Sequence, residues 1–273
     1  MSLIVFCGPS LRPEEGRAVL DAVFLPPAQQ GDLYRALRQK PVALGLIDGL
    51  FEQVNAVAHK EILWAMSQGV HVLGGASMGA LRAAELASFG MEGVGTIFEW
   101  FEQGQLEDDD EVALLHGTEE DGYRPLSEPM VNIRATLAAA RREGVISSTT
   151  QGELLVLAKE RFYAERAWPP LLAHARERGL GAGELDALGG FVRSHRVDQK
   201  RQDALRLLEV MRERFSGEIT PKKVRYHFSH TDAWQALRDR VDAPEVPHSS
   251  QGPRPPSSAP RNRRKLRSFP LPE

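Results

Sequence analysis

Gly75-Ala76-Ser77-Met78-Gly79 sets a serine between two glycines, directly after the apolar run Val70 to Leu73 and directly before the Ala-rich run Met78 to Ser88. That order predicts strand, sharp turn and helix. A serine at such a turn projects its hydroxyl from the end of a sheet, beside the backbone N–H groups of a helix N-terminus. Glycines on both sides permit unusual backbone angles and let another chain come close. The chemistry this suits is nucleophilic attack, which a serine performs only when a base takes its proton.

The candidate bases in the first half of the chain are His59, Lys60, His71 and His116. His71 begins the strand that ends near Ser77, so it belongs at the opposite edge of the sheet. His59 and Lys60 lie on the helix joining the third strand to the fourth, which starts at the edge where Ser77 emerges. Lys60 reaches that edge only if its helix begins late. The β-branched and Asn residues of Gln53-Val54-Asn55-Ala56-Val57, against the helix formers from Lys60 to Met66, predict the late start. A lysine base must be neutral, with its pKa brought from ~10.4 to nearer 7–8. Burial and the positive end of a helix both push that way. The Met78 N–H and an N–H from the turn Gly8-Pro9-Ser10-Leu11 would hold the oxyanion, with Pro9 unable to donate.

Plainer readings stand beside these. Ser77 can simply cap the next helix, Lys60 can be a solvated helix lysine, and Cys7 a small buried hydrophobe. Arg82 and Glu85, three residues apart, suit a local ion pair. Glu107-Asp108-Asp109-Asp110-Glu111 suits a solvated acidic turn, a Mg²⁺ site or an ion-paired contact. The sequence has no H-E-x-x-H, no paired C-x-x-C and no Walker lysine, so zinc and P-loop chemistry are not expected.

The elements that would position these residues alternate. Leu3–Phe6, Val23–Leu25, Val42–Ile47 and Val70–Leu73 read as short buried strands. Helices are expected from Pro13 to about Ala22, from Asp32 (as N-cap) to about Gln39, ahead of Gly69, and from Met78 to Ser88. This is the pattern of an α/β core, a mostly parallel sheet with flanking helices, here assigned to residues 1–125. Ligands of such sheets bind beyond the carboxyl ends of the strands, where Gly8-Pro9-Ser10, Asp48-Gly49 and Ser77 would gather. Val112–Leu115 reads as a further strand. An α-helical lobe is expected over 126–241, with helices near 127–143, 148–165, 170–177, 182–195 and 198–215 and a last one over 222–237. Residues 242–273, rich in Pro, Ser and Arg, read as a disordered tail.

The chain's 273 residues, 42% hydrophobic and 26% charged, are ordinary for a globular protein, and a net charge of −3 gives no reason to expect nucleic acid. The single cysteine permits no internal disulfide and fits a reducing compartment. No apolar run approaches the roughly 18–20 residues that cross a bilayer. The first residues lack a basic n-region, so a cytoplasmic location with no membrane partner is expected.

Six blocks in order resemble the TfuA-like family: Phe6-Cys7-Gly8-Pro9-Ser10-Leu11, Ile47-Asp48-Gly49-Leu50-Phe51, His59-Lys60-Glu61-Ile62-Leu63, Gly75 through Leu86, Gly90-Met91-Glu92-Gly93-Val94-Gly95, and Asp109-Asp110-Glu111-Val112-Ala113. The resemblance spans roughly residues 3 to 140. It implies a role beside a YcaO protein, which uses ATP to activate a backbone amide of a precursor peptide or protein for conversion to a thioamide. The TfuA-like partner is expected to hydrolyse the thiocarboxylate of a ThiS-like carrier protein, releasing sulfide, without a cofactor or metal of its own. It is also expected to strengthen YcaO's hold on its substrate. The resemblance maps a Ser–Lys pair onto Ser77 and Lys60. Asp48 would anchor the neighbouring turn and touch substrate, and Arg82 would hold the substrate's carboxyl end. The competing reading is a non-catalytic adaptor for YcaO and its peptide. Nucleotide binding at the glycine turns is weaker still, because Pro9 removes a phosphate-facing donor.

Overall fold

The computed structural model describes residues 2–50 and 54–243. Five strands, β1 (Leu3–Phe6), β2 (Val23–Leu25), β3 (Ala43–Leu46), β4 (His71–Gly75) and β5 (Glu92–Val94), form one sheet in the order β2-β1-β3-β4-β5. Every neighbouring pair is parallel. The connections carry helices α1 (Pro13–Arg17), α2 (Asp32–Ala36), α3 (His59–Ser67) and α4 (Met78–Leu86), and α5 (Thr96–Glu102) follows β5. The rest is helical: α6 (Met130–Arg142), α7 (Ser148–Lys159), α8 (Trp168–Glu177), α9 (Ala182–His195), α10 (Gln199–Arg214) and α11 (Asp232–Asp242). The α/β core and the helical second half match the sequence expectation. Among the described residues no helix is long and apolar enough to cross a membrane. The expected disordered tail lies, but for its first two residues, outside the described residues.

The chain passes from β1 to β2 on one side and returns to β3 on the other. The strand order therefore reverses between β1 and β3, the point where sheets of this kind open a crevice at their carboxyl ends. Phe6 is in register with Leu46, so the turns following these residues emerge side by side.

Both sheet faces are covered, which is why β1, β3 and β4 are apolar throughout rather than alternating. Ile4, Phe6, Leu44, Leu46 and Val72 face Leu33, Ile62, Met66 and Met78 of α2, α3 and α4. The opposite residues, Leu3, Val5, Ala43 and Leu73, face Ala204, Leu207, Leu208 and Met211 of α10. The second half of the chain thus supplies one face of the first half's sheet. Gly45 makes room for it, since a Cβ there would fall 2.7 Å from Met211 Sδ. Helix α10 runs against the strand direction. At its C-terminal end Arg214 pairs with Glu92 at the start of β5, and Phe215 packs on His71 at the start of β4. Its N-terminus consequently lies at the carboxyl edge of the sheet.

Several boundaries differ from expectation. Helix α1 stops at Arg17. Gly31, with φ of 96°, caps α2, while Asp32 sits one residue inside and accepts from the Gln29 N–H at 3.0 Å. Val112–Leu115 is not a strand; the fifth strand is the glycine-containing Glu92–Val94. The last helix begins at Asp232, after a segment over 222–230 that is not helical.

Glu61 is fully buried and accepts backbone N–H groups from Ala58 (2.8 Å), Gly31 (3.0 Å) and Leu33 (3.2 Å), tying the starts of α2 and α3 together. Burial raises its pKa from 4.5 to about 7, against the pull of those donors. The folded state therefore holds a proton that the unfolded chain has released between these values, so Glu61's contribution to stability falls as pH rises through this window. Thermal unfolding of wild type and Glu61→Gln is expected to show a stability difference that narrows from pH 5 to pH 7.5. A constant difference would show that Glu61 is ionised throughout.

Candidate active site

Strand β4 ends at Gly75 and α4 begins at Met78, with two residues making the turn. Ala76 takes a φ of 66°, and the Ser77 N–H donates to the Gly75 carbonyl at 2.8 Å. A three-residue turn about a non-glycine residue with positive φ is strained by roughly 1–3 kcal/mol. The unusual angle falls on Ala76, while the glycines nearby serve close approach. A Cβ on Gly74 would lie 2.1 Å from the Gly79 carbonyl oxygen, and one on Gly79 1.7 Å from the Leu46 carbonyl oxygen. Helix α4 is thereby pressed against the ends of β3 and β4, and Ser77 is held at the crevice.

Ser77 is only 3% exposed, yet it lines a cavity of about 330 Å³ together with Asp48, Gly49, Tyr123, Lys200 and the loop Val112–Thr118. The lysine in this cavity comes from α10. Lys200 follows the N-cap Asp198 by two residues, and its ammonium donates to the Val112 carbonyl at 2.9 Å. It is 2% exposed, and burial pushes its pKa down, opposed by the Asp48 and Asp198 carboxylates. The position itself disfavours a cation, because the first turn of a helix carries the positive end of its dipole. A desolvated lysine at a helix N-terminus, lining one cavity with a serine, is the environment that general-base chemistry requires.

Lys60 also stands second in its helix but shares neither the burial of Lys200 nor its place in the cavity. The late start of α3 is as expected, at His59. Helical phase then turns Glu61, Ile62, Ala65 and Met66 inward and sends Lys60 with Trp64 outward. The Lys60 ammonium donates to the Ser229 carbonyl at 2.5 Å and sits 4.7 Å from the centre of the Phe228 ring. Lys60 does not line the Ser77 cavity. Arg82 is likewise engaged away from it, donating to the Val57 carbonyl (3.0 Å) and to Glu85 (2.6 Å), and His59 meets the same Glu85 at 2.7 Å. His71 lies at the far end of β4 against the Thr220 carbonyl. The structure thus does not bring Lys60 or Arg82 to Ser77.

Asp48 follows β3 at the crevice and is buried. One carboxylate oxygen accepts from the Gly8 N–H (2.8 Å) and the Ser10 N–H (3.0 Å), the other from the Ser10 hydroxyl (2.6 Å). Asp48 is therefore the anchor of the Gly8–Ser10 turn, as expected. The same bonds occupy the Gly8 and Ser10 N–H groups that sequence reasoning offered to an oxyanion. The Met78 N–H, first of α4, and the Gly49 N–H find no acceptor among the described residues. Cys7, between the two turns, is buried, and burial with the nearby Asp48 charge pushes its thiol up to about 12, so it remains a neutral packing residue.

The loop 112–127 covers the cavity as an irregular hairpin, with His116 opposite Pro125 and the Leu126 N–H donating to the Leu115 carbonyl. Its base is tied down by the acidic run. Glu111 accepts from Arg134 in two bonds of 2.8 Å, and Asp110 meets Lys159 and the buried Arg166. These acids have basic partners, and among the described residues no cluster is arranged to hold a metal ion.

Lys200 escaped sequence reasoning because Gln199-Lys200-Arg201-Gln202 reads as a solvated helix start. One signal was available. A lysine two residues after an Asp cap stands where helices favour acids, and it is inward-facing if Asp203 and Leu207 are.

The family model for TfuA-like protein matches residues 48–167, a span that contains Asp48, Lys60 and Ser77 and ends before Lys200. No curated protein matches the chain.

Proposed function

The chain belongs to the TfuA-like family through residues 48–167, and on that premise we propose that it hydrolyses the thiocarboxylate of a ThiS-like carrier protein, delivering sulfide to a YcaO partner that thioamidates a peptide or protein. Ser77 is the nucleophile and Lys200, rather than Lys60, its base. The observation that carries this reading is a serine on a strained strand–helix turn and a desolvated lysine at a helix N-terminus lining one cavity.

The steps balance without a cofactor. Lys200 takes the Ser77 proton as the oxygen attacks the thiocarboxylate carbon. The Met78 and Gly49 N–H groups, one following the nucleophile and one from the crevice, receive the oxyanion. The C–S bond breaks, the Lys200 ammonium returns the proton to sulfur, and hydrosulfide leaves. Water then attacks the Ser77 ester with Lys200 again as base, releasing the carrier as a carboxylate. The loop 112–127 narrows the entrance, which suits a flexible carrier tail rather than a folded surface.

Incubation with thiocarboxylated carrier is expected to release sulfide, with the carrier's mass changing by one sulfur-for-oxygen exchange. Ser77→Ala should abolish both signals while leaving the unfolding temperature within a few degrees of wild type. Undiminished release by folded Ser77→Ala would refute the hydrolase and leave an adaptor role for YcaO and its peptide.

A further inference from the structure

Lys200 must be neutral to accept a proton and must tolerate the charge once it has done so. Burial and the helix N-terminus serve the first need and oppose the second. A buried anion facing the same cavity reconciles them, as the carboxylate behind the histidine does in a serine triad. Building on the Ser77–Lys200 reading, we propose that Asp48, clamped by Gly8 and Ser10, is the positioning residue that stabilises the Lys200 ammonium each time it forms.

The geometry singles out Asp48 among the charged groups around Lys200. On α10 itself, Asp198 is spent on capping: its Oδ1 accepts from the Arg201 N–H and from Asn132, both at 3.1 Å. In the second cavity that Lys200 borders, Glu128 is paired with Arg196 at 3.0 Å, and Arg166 is bound to Asp110 and to backbone carbonyls. Arg124 from the covering hairpin is a cation in the same cavity and cannot stabilise an ammonium. In the Ser77 cavity the other titratable groups among the described residues are His116, Tyr123 and Tyr163, side chains of types that are not anionic near neutral pH. Among the described residues, Asp48 is the acid lining that cavity. Its three donors are all neutral, and they hold it in place in the cavity that Lys200 also lines. Of the two carboxylates that oppose the downward push of burial on the Lys200 pKa, Asp48 weighs more than Asp198, although Asp198 is only two residues away.

The test avoids the carrier, so that its outcome is separable from the identity of the substrate. Diisopropyl fluorophosphate reports the Ser77–Lys200 pair directly. The Ser77 oxygen–phosphorus bond forms, the phosphorus–fluorine bond breaks, fluoride leaves and Lys200 takes the proton. The rate of Ser77 labelling against pH, read by mass spectrometry, should rise through a limb set by Lys200 in wild type. In Asp48→Asn that limb should move to lower pH, because an opposing anion has been removed, and the plateau rate should fall on the order of tenfold. Ser10→Ala removes one donor from Asp48 without changing its charge, which leaves the carboxylate less neutralised, so its limb should move the other way. Opposite shifts support the proposal, and Ser10→Ala alone decides it if Asp48→Asn does not fold. An unmoved limb in folded variants, with only a lower unfolding temperature, overturns it and reduces Asp48 to a turn anchor. Labelling of wild type at a site other than Ser77 overturns the pair and the proposal together, whatever the carrier assay shows.

Discussion

Lys200→Met is expected to lose sulfide release by on the order of a thousandfold or more, while Lys60→Met stays within about twofold of wild type. The contrast follows from where the two ammonium groups sit. Lys60 is bonded to a carbonyl of the 222–230 segment and lies over an aromatic ring at the outer surface of α3. Losing that contact costs a fraction of a kcal/mol to about 1 kcal/mol of stability and no chemistry. Lys200 is buried against the Val112 carbonyl in the Ser77 cavity. Methionine fills the same volume without a nitrogen, so folding is retained while the proton acceptor is gone. Lys200→Arg is the sharper comparison. A guanidinium stays protonated at any working pH and cannot serve as the base, so this variant should be as inactive as Lys200→Met despite keeping the charge. Parallel assays of the three variants, each checked for a cooperative unfolding transition, read this directly. Full activity in Lys200→Met with loss in Lys60→Met would return the base to α3.

The distinction also explains what the sequence could and could not disclose. Leu3–Phe6, the late-starting α3 and the turn around Ser77 were legible because each is a local event: an apolar run closed by Gly-Pro, a change from β-branched residues to helix formers, a glycine-flanked serine between them. The anchor role of Asp48 was expected only alongside the family resemblance, and its bonds to Gly8 and Ser10 give it a physical basis. The fifth strand was hidden because Glu92-Gly93-Val94 is short and interrupted by glycine, and only its edge pairing with β4 makes it a strand. Val112–Leu115 has strand-like residues but finds no sheet edge, and serves instead as the cover of the cavity. The lysine was hidden for a deeper reason. Its place depends on α10 crossing back over the sheet, a contact between residues more than a hundred positions apart that no local pattern encodes. Helical phase decided against Lys60 in the same way: the start of α3 was predicted correctly, but which side of it Lys60 occupies is fixed by what α3 packs upon.

Gly79→Ala should be the most damaging single-methyl change in the molecule. The added carbon would sit 1.7 Å from the Leu46 carbonyl oxygen and 2.6 Å from its carbon, both backbone atoms of a central strand. A side chain could swing aside, but these cannot. The same residue's N–H donates to the Ile47 carbonyl at 3.2 Å, so pushing α4 outward to make room also breaks the bond that joins the Ser77 turn to the Asp48 crevice. Gly74 shows that α4 lies equally close on β4, since a Cβ there would fall 2.1 Å from the Gly79 carbonyl oxygen. Overpacking of this kind costs about 3 kcal/mol or more, against a total stability of roughly 5–15 kcal/mol. Urea unfolding is therefore expected to show a midpoint well below wild type, or no folded population at all. Gly152→Ala, where a Cβ meets nothing within 4 Å on an exposed helix, is the control and should be neutral or slightly stabilising. If Gly79→Ala does fold, Ser77 has been moved relative to Lys200, and labelling of Ser77 by diisopropyl fluorophosphate should fall even where the protein remains native. Wild-type stability and wild-type labelling together in Gly79→Ala would mean that the close packing of α4 on β3 does not position the serine.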